Sequence, residues 1–450
     1  MKNLLYFLTT IIALTLLACN DEETNLLKEN PDFSTTSDYA PNELRSTKEA
    51  LKIATNALSM VSDVPLPPTK SRSANHRRID TTSPIKIVTT TGNGKARSGK
   101  SDTLMYVVNY ADSMGYAIVS ALRNTQELLA VTIAGTYNPD EPNNNPGFNM
   151  WVDNITQYLA QQSSTSHYSI DIGNTGTLTP IPMPDDSIAV DTIWYNNVPT
   201  RIKVYWGQQY PEGNECPNGK AGCSNTAVAM MMSYFRHPQQ LALTYENGNP
   251  IDLNWDALSQ HNSINTYSSG GKHHNDNCWY NSYPIHTRLA QLCRELGHRS
   301  NSRYLENGDT PTNTQNTMNT LKNLGYTNIQ DVEYKFGEID NHLSKNSILL
   351  MYGTDSNSGR AHMWICDGIK RYACKLRLYQ TDNSIILLGG KHPWKFIREW
   401  QTEGQAFYFF NWGWGSPNDC GWFSAISDFK VKNHNFNKDL HFIRVSNPKI

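Results

Sequence analysis

One stretch constrains this chain more than any other: Gly222-Cys223-Ser-Asn-Thr-Ala-Val-Ala-Met-Met-Met-Ser-Tyr-Phe-Arg-His-Pro238. Ala227, Met230, Met231 and Tyr234 recur at helical spacing, and Pro238 closes the run. The pattern predicts an amphipathic helix that opens at Cys223. Gly222 permits a sharp turn just before it. A helix start offers unpaired N–H groups and the positive end of the dipole, which favour a thiolate and lower its pKa. The same N–H groups can stabilise an oxyanion on an attacked carbonyl. The plain alternative is a small residue that caps a helix.

A thiolate nucleophile needs an imidazole base and a group to hold that base. The chain has 13 His, so spacing must choose among them. His362 follows an apolar strand, 348–352, and a polar loop, 353–360, and opens a second strand that runs to Gly368. His362, Trp364 and Cys366 share one face of that strand. The separation from Cys223 falls inside the ~130–150 residues seen in papain-like enzymes. A satisfied structural histidine is the competing reading. Further on, Phe407-Tyr-Phe-Phe-Asn411-Trp412-Gly-Trp-Gly415 carries a strand into a turn. There Asn411 can accept from the imidazole N–H and Trp412 can shield that bond; an aromatic carbohydrate-binding strip or plain core are the alternatives. Upstream, Trp206-Gly-Gln208-Gln-Tyr-Pro211 offers the Gln208 amide as an oxyanion donor.

The rest of the chain supplies context. Lys2 and the short apolar run Leu4 to Ala18 read as a signal peptide, too short for a spanning helix at ~20 residues. Leu16-Leu-Ala-Cys19 looks like a bacterial lipobox, which makes Cys19 the lipidated first residue of an exported protein. The acidic Asn20-Asp-Glu-Glu23 is similar to surface-export signals of bacterial lipoproteins. A cleaved signal with an incidental cysteine is the alternative. The expected divisions are signal peptide 1–18, tether 19–43, an α+β unit 44–162, linker 163–190 and a larger domain 191–450. Within the small unit we expect a helix over 42–61, with Leu51, Ala54 and Leu58 on one face, and a solvated loop over 63–101. Strands at 104–109, 116–121 and 127–133 follow, with Met114-Gly115 turning the first pair, and then a helix over 148–161. The Ser-, Thr- and Pro-rich 163–187 is the best linker.

With 39 basic and 41 acidic residues the net charge is -2, so nothing suggests a nucleic-acid partner. The 11 Trp and 23 Tyr favour a β-rich fold with a groove. Of the 8 Cys, Cys293 and Cys366 read as buried core thiols. Cys216, Cys278, Cys374 and Cys420 stay open as disulfide partners. His273-His274 with Cys278 reads as a polar loop rather than a metal site, and no cofactor is expected.

These motifs together resemble the streptopain-like cysteine peptidases, a branch of the papain-like fold. The residues that carry the resemblance are Trp206, Gln208 and Pro211; Cys216-Pro217; Gly222-Cys223 with Thr226-Ala227; His362 with Asp367-Gly368; and Asn411 to Gly415. The stretch 103–138 also looks like that family's propeptide. The resemblance implies an α+β architecture with the nucleophile's helix packed on an antiparallel sheet behind a small α+β prodomain. It implies Cys223 as nucleophile, His362 as base and acid, Gln208 as oxyanion donor, and Asn411 with Trp412 as support for the histidine. The implied protein is a lipid-anchored endopeptidase zymogen, with peptide substrates, its own prodomain as inhibitor, and a cut in the linker to release it. Departures are Arg360-Ala361 before the histidine, Ser416 and Cys420 after the last motif, and a lengthened connection over 370–405. A Cys–His amidase or peptidoglycan hydrolase, and a non-catalytic Trp-rich binding protein, are the rival readings.

Overall fold

The computed structural model describes residues 44–62, 77–83, 85–89, 103–164, 186–260, 276–334, 338–354, 361–381, 394–402, 405–424, 430–431, 434–435 and 440–446. All of them belong to one unit, Pro41–Ile450. Cys19, the tether, His273-His274 and linker residues 165–185 lie outside the described residues, and so do the side chains of Cys278 and Cys374.

The N-terminal part begins with α1, Thr47–Ala57, capped by Ser46 and Glu49 in a reciprocal box. Ala50, Ala54 and Ala57 form its buried face, while Leu51 is exposed. The expected stripe is thus rotated by a residue, because alanines let the helix lie close on the sheet. β1 (Lys86–Thr89), β2 (Thr103–Asn109), β3 (Tyr116–Ser120) and β4 (Leu128–Thr132) form an antiparallel meander. Every residue of β3 and β4 is buried, so both faces are covered, which explains their unbroken apolar runs. Gly115, at φ 107, makes the turn into β3. α2, Pro146–Ser164, follows. Asn145 starts it by accepting from the Phe148 N–H at 3.1 Å, with Pro146 in the first helical position.

The C-terminal part is built around α3, Cys223–Phe235. Residues 224–233 are all buried. The expected amphipathic stripe is corrected here: α3 is enclosed on every side. Its neighbours include α4 (Trp255–Gln260) and α5 (Asp276–Arg299); α6 (Thr314–Asn323) and α7 (Glu338–Leu343) are the remaining α-helices among the described residues. β6 (Gln240–Ala242) with β7 (Pro250–Asp252), and β14 (Lys430–Val431) with β15 (His434–Asn435), form small ribbons, while β9 (Ile348–Thr354), β10 (Ala361–Thr381), β12 (Ala406–Asn411), β13 (Gly421–Ser424) and β16 (His441–Ser446) carry the sheet. Its path is β1-β2-β3-β4-β13-β12-β10-β9-β16-β8, where β8 is Thr327–Glu333. Every pairing of named strands on this path is antiparallel, and β4 against β13 makes one sheet of the two parts.

Beyond Ile369, β10 continues into a long arm. It pairs there with β5 (Asp186–Val198) and with β11 (Trp394–Thr402). The lengthened connection is therefore a hairpin. The last residues assigned to the linker, 186–190, are strand.

Two apolar clusters separate the faces of β10. Trp364 and Cys366 join a core made with α1, α2 and β2–β4. Met363 and Ile365 join a second core with α3. Cys293 and Cys366 are fully buried, as expected. Cys216 and Cys420 carry free thiols, so neither serves as a disulfide partner.

Candidate active site

Gly222 holds φ 88, and a Cβ there would sit 2.9 Å from the Thr310 carbonyl oxygen, so only glycine fits ahead of α3. Cys223 is half-buried at the helix start. Burial pushes its thiol above the ordinary value, against the pull of the Met363, Ser224 and Cys223 N–H groups and the Ser224 hydroxyl. The expected low pKa is not present in this state. Desolvation outweighs the helix start.

The helix start is braced from behind. Asn225 Nδ2 donates to the Ala221 carbonyl at 2.8 Å and to Ser302 Oγ at 3.0 Å. Thr226 Oγ1 donates to the Gly207 carbonyl at 2.9 Å. The Ala221 N–H donates to the Gln208 carbonyl at 2.7 Å, so half-buried Gln208 lies beside the segment that leads into Cys223. Gly207 is pressed on Gly415, where a Cβ would meet Cα at 2.8 Å. Two of the sequence motifs, the one around Gln208 and the turn after Asn411, therefore meet backbone to backbone.

His362 opens β10 on the face opposite to the one that packs on α3. It is 5 % exposed, stacked at 6.2 Å on Trp364 and edge-on at 6.1 Å to Trp414. Its Nε2–H donates to the Trp412 carbonyl at 2.9 Å. Burial lowers its pKa to about 4, partly opposed by that carbonyl. The imidazole is therefore neutral at physiological pH. Among the described residues no hydrogen bond joins it to Cys223. A Cβ on Gly147 would lie 2.6 Å from His362 Cδ2 and 2.6 Å from Trp412 Cε3. The start of α2 thus lies against the imidazole at Cδ2 and Nε2, and only a glycine can approach so closely.

Asn411 does not hold the histidine here, and the expectation is corrected. Its Oδ1 accepts from the Gly413 N–H at 3.2 Å and its Nδ2 donates to the Val204 carbonyl at 2.9 Å. The Oδ1 end fixes the turn from within, and the Nδ2 end ties it to residues 202–206. Trp412 supplies the acceptor through its main chain instead. Its indole Nε1–H donates to the Asp419 carbonyl at 2.8 Å, and the ring is buried against Trp364 at 5.3 Å.

Three contact residues escaped the sequence reading. Asp419 accepts from Tyr116 Oη at 2.7 Å and from Asn143 Nδ2 at 3.1 Å, both from the N-terminal part. Burial raises its carboxyl pKa, and those hydrogen bonds oppose the rise. Lys370 Nζ donates to the Met60 carbonyl at 2.6 Å and stands over the Trp422 ring at 4.8 Å. The third is Gly147, whose only signal was an Asn-Pro-Gly helix start. Asp419 and Lys370 lie in no pattern that periodicity or spacing detects. Among the described residues no cluster of three His, Cys, Asp or Glu suited to a metal occurs.

Comparison with known proteins bears on the family and the fold. Residues 202–423 match the family model of the peptidase C10 family, and residues 42–159 match that of the Spi protease inhibitor. No curated protein matches. A solved structure of a prointerpain A fragment from Prevotella intermedia, a cysteine-to-alanine mutant, is 16% identical. It covers 82% of this chain and 99% of its own, with a TM-score of 0.50, and that likeness speaks to the fold alone.

Proposed function

As a cysteine endopeptidase of the C10 family with a Spi-type inhibitor domain ahead of its catalytic domain, this chain is a zymogen, and we propose that α2 holds it latent by covering His362. The observation that carries the reading is Gly147 seated on an imidazole whose Nε2–H is given to Trp412 rather than to catalysis. When α2 lifts, His362 becomes solvated and turns toward α3, where it takes the Cys223 proton. The thiolate attacks the scissile carbonyl, and the N–H groups at the start of α3 with the Gln208 amide receive the oxyanion. The imidazolium then protonates the leaving amine, and water, deprotonated by His362, clears the thioester. Asn411 and Trp412 act by fixing the turn beside the histidine.

The lipobox supports an anchor on Cys19 at the outer membrane or cell surface. Since that anchor belongs to the N-terminal part, cleavage between 163 and 190 followed by departure of that part would leave the peptidase unanchored. The test is a casein zymogram of the full chain, its Cys223→Ala variant, and the wild type after thiol alkylation. Clearing by the wild type alone supports the reading. Clearing by Cys223→Ala at the wild-type rate excludes the thioester route.

A further inference from the structure

β13 has two partners, β12 on one side and β4 on the other. β4 belongs to the inhibitor domain, so in the processed peptidase β13 becomes the edge of the sheet. The geometry points to this edge as a second substrate-binding site, one that takes an extended apolar segment of a protein substrate as an added strand. The inference rests on the reading that the inhibitor domain leaves.

The way β4 occupies the edge defines what fits. Gly421, Trp422 and Phe423 stand opposite Thr132, Val131 and Ala130. The Ile133 N–H donates to the Cys420 carbonyl at 2.9 Å. In an antiparallel ladder the hydrogen-bonding residues alternate, so the main chains of Val131 and Ile133 face the edge. Main-chain bonds give such a site its affinity, and alternate side chains give it selectivity. The occupying sequence is Leu-Leu-Ala-Val-Thr, every residue of it buried. The partner class is therefore an extended run of small and branched apolar residues, as exposed in unfolded or loosely folded proteins.

The close fit admits a backbone and nothing bulkier. A Cβ on Gly421 would lie 2.3 Å from the Val131 carbonyl oxygen and 2.6 Å from Thr132 Cα. The edge also leads somewhere. β4 runs antiparallel to β13, so the chain leaves the edge at Cys420, the residue whose thiol faces Asn411 Oδ1 at 3.8 Å. It then passes Asp419 at Asn143 and reaches His362 at Gly147. The inhibitor domain thus traces a continuous route from the edge to the histidine, and a substrate chain bound at the edge has the same route open to it.

The experiment uses the processed enzyme and a synthetic peptide, Gln126–Gly135. A short fluorogenic peptide amide reports the active site alone, and casein reports the active site and the edge together. We expect the peptide to raise the apparent KM for casein about tenfold, the worth of one or two net backbone hydrogen bonds, and to leave the short substrate unaffected. The same peptide N-methylated at Val131 and Ile133 should do nothing. Processed Gly421→Ala should show the raised casein KM without any peptide. Should that variant fail to fold, the pair of peptides still decides. Normal cleavage of the short substrate, with casein hydrolysis indifferent to both peptides, overturns the edge site and leaves the peptidase reading standing. Failure to cleave the short substrate overturns the peptidase reading itself.

Discussion

Replacing Gly147 with alanine tests the latch directly. The added methyl lies 2.6 Å from His362 Cδ2, 2.6 Å from Trp412 Cε3 and 3.0 Å from His362 Nε2. Carbon atoms in contact prefer about 3.5–4.0 Å, so the overlap is about 1 Å. Trp412 cannot yield easily, being 1 % exposed with its indole N–H bonded. Either α2 lifts or the imidazole turns. Overpacking of this kind costs about 1–3 kcal/mol, which makes the open state roughly 5- to 150-fold more populated. Helix propensity pulls the other way, since alanine in place of glycine favours a helix by roughly 0.5–1 kcal/mol. The sign of the result therefore separates the two effects. The assay follows conversion of full-length chain to its processed form on a denaturing gel, beside the alkylation rate of Cys223. Both should accelerate severalfold, while the processed enzyme, which lacks residue 147, keeps its wild-type kcat. Processing that is unchanged or slowed would show that α2 does not restrain His362.

Acid should loosen the same latch. His362 is held at about 4 against an ordinary 6.5, so docking requires the neutral ring: the latch is at full strength above 6.5 and weakens as pH falls toward 4. Going from pH 7.5 to pH 5 should raise the open population roughly 25-fold. Hydrogen exchange at residues 146–164 of the Cys223→Ala chain reads this, and a flat profile between those pH values contradicts it. Tyr116→Phe removes the 2.7 Å donor to Asp419 and should lower the stability of the Cys223→Ala chain by about 1–3 kcal/mol in a denaturant titration; the activity of the processed enzyme should not change. Cys19→Ala should move the full-length protein from the membrane fraction to the soluble one, and wild-type protein that carries no lipid would remove the anchor.

The local features of the site were legible because each rests on short-range rules. Gly222 and Pro238 bracket α3, Met114-Gly115 marks a turn, and strand alternation places His362, Trp364 and Cys366 together. What sequence does not reveal is which side a neighbour takes. Period two shows that His362 and Met363 face oppositely, but not that α3 lies on the Met363 side and α2 on the other. The Asn411–His362 bond was expected from residue chemistry, and the competing Val204 and Gly413 partners exist only in the folded chain. The stripe drawn on α3 failed because a helix enclosed on all sides leaves no polar face to set a period. Residues 186–190 looked like linker because their partner strand is distant in sequence.

The pairing of β4 with β13 separates two events that a single word, activation, tends to merge. Hydrolysis between 163 and 190 changes how the chain is connected. It touches neither the ladder from Thr132 to Gly421, nor the Tyr116–Asp419 bond, nor the core to which Trp364 and Phe148 both belong. A nicked molecule would therefore keep its contacts, and it should migrate as two bands under denaturing conditions and as one particle in gel filtration. Scission sets the order of events and separation sets their clock, so the time between cutting and activity is the lifetime of a two-chain complex.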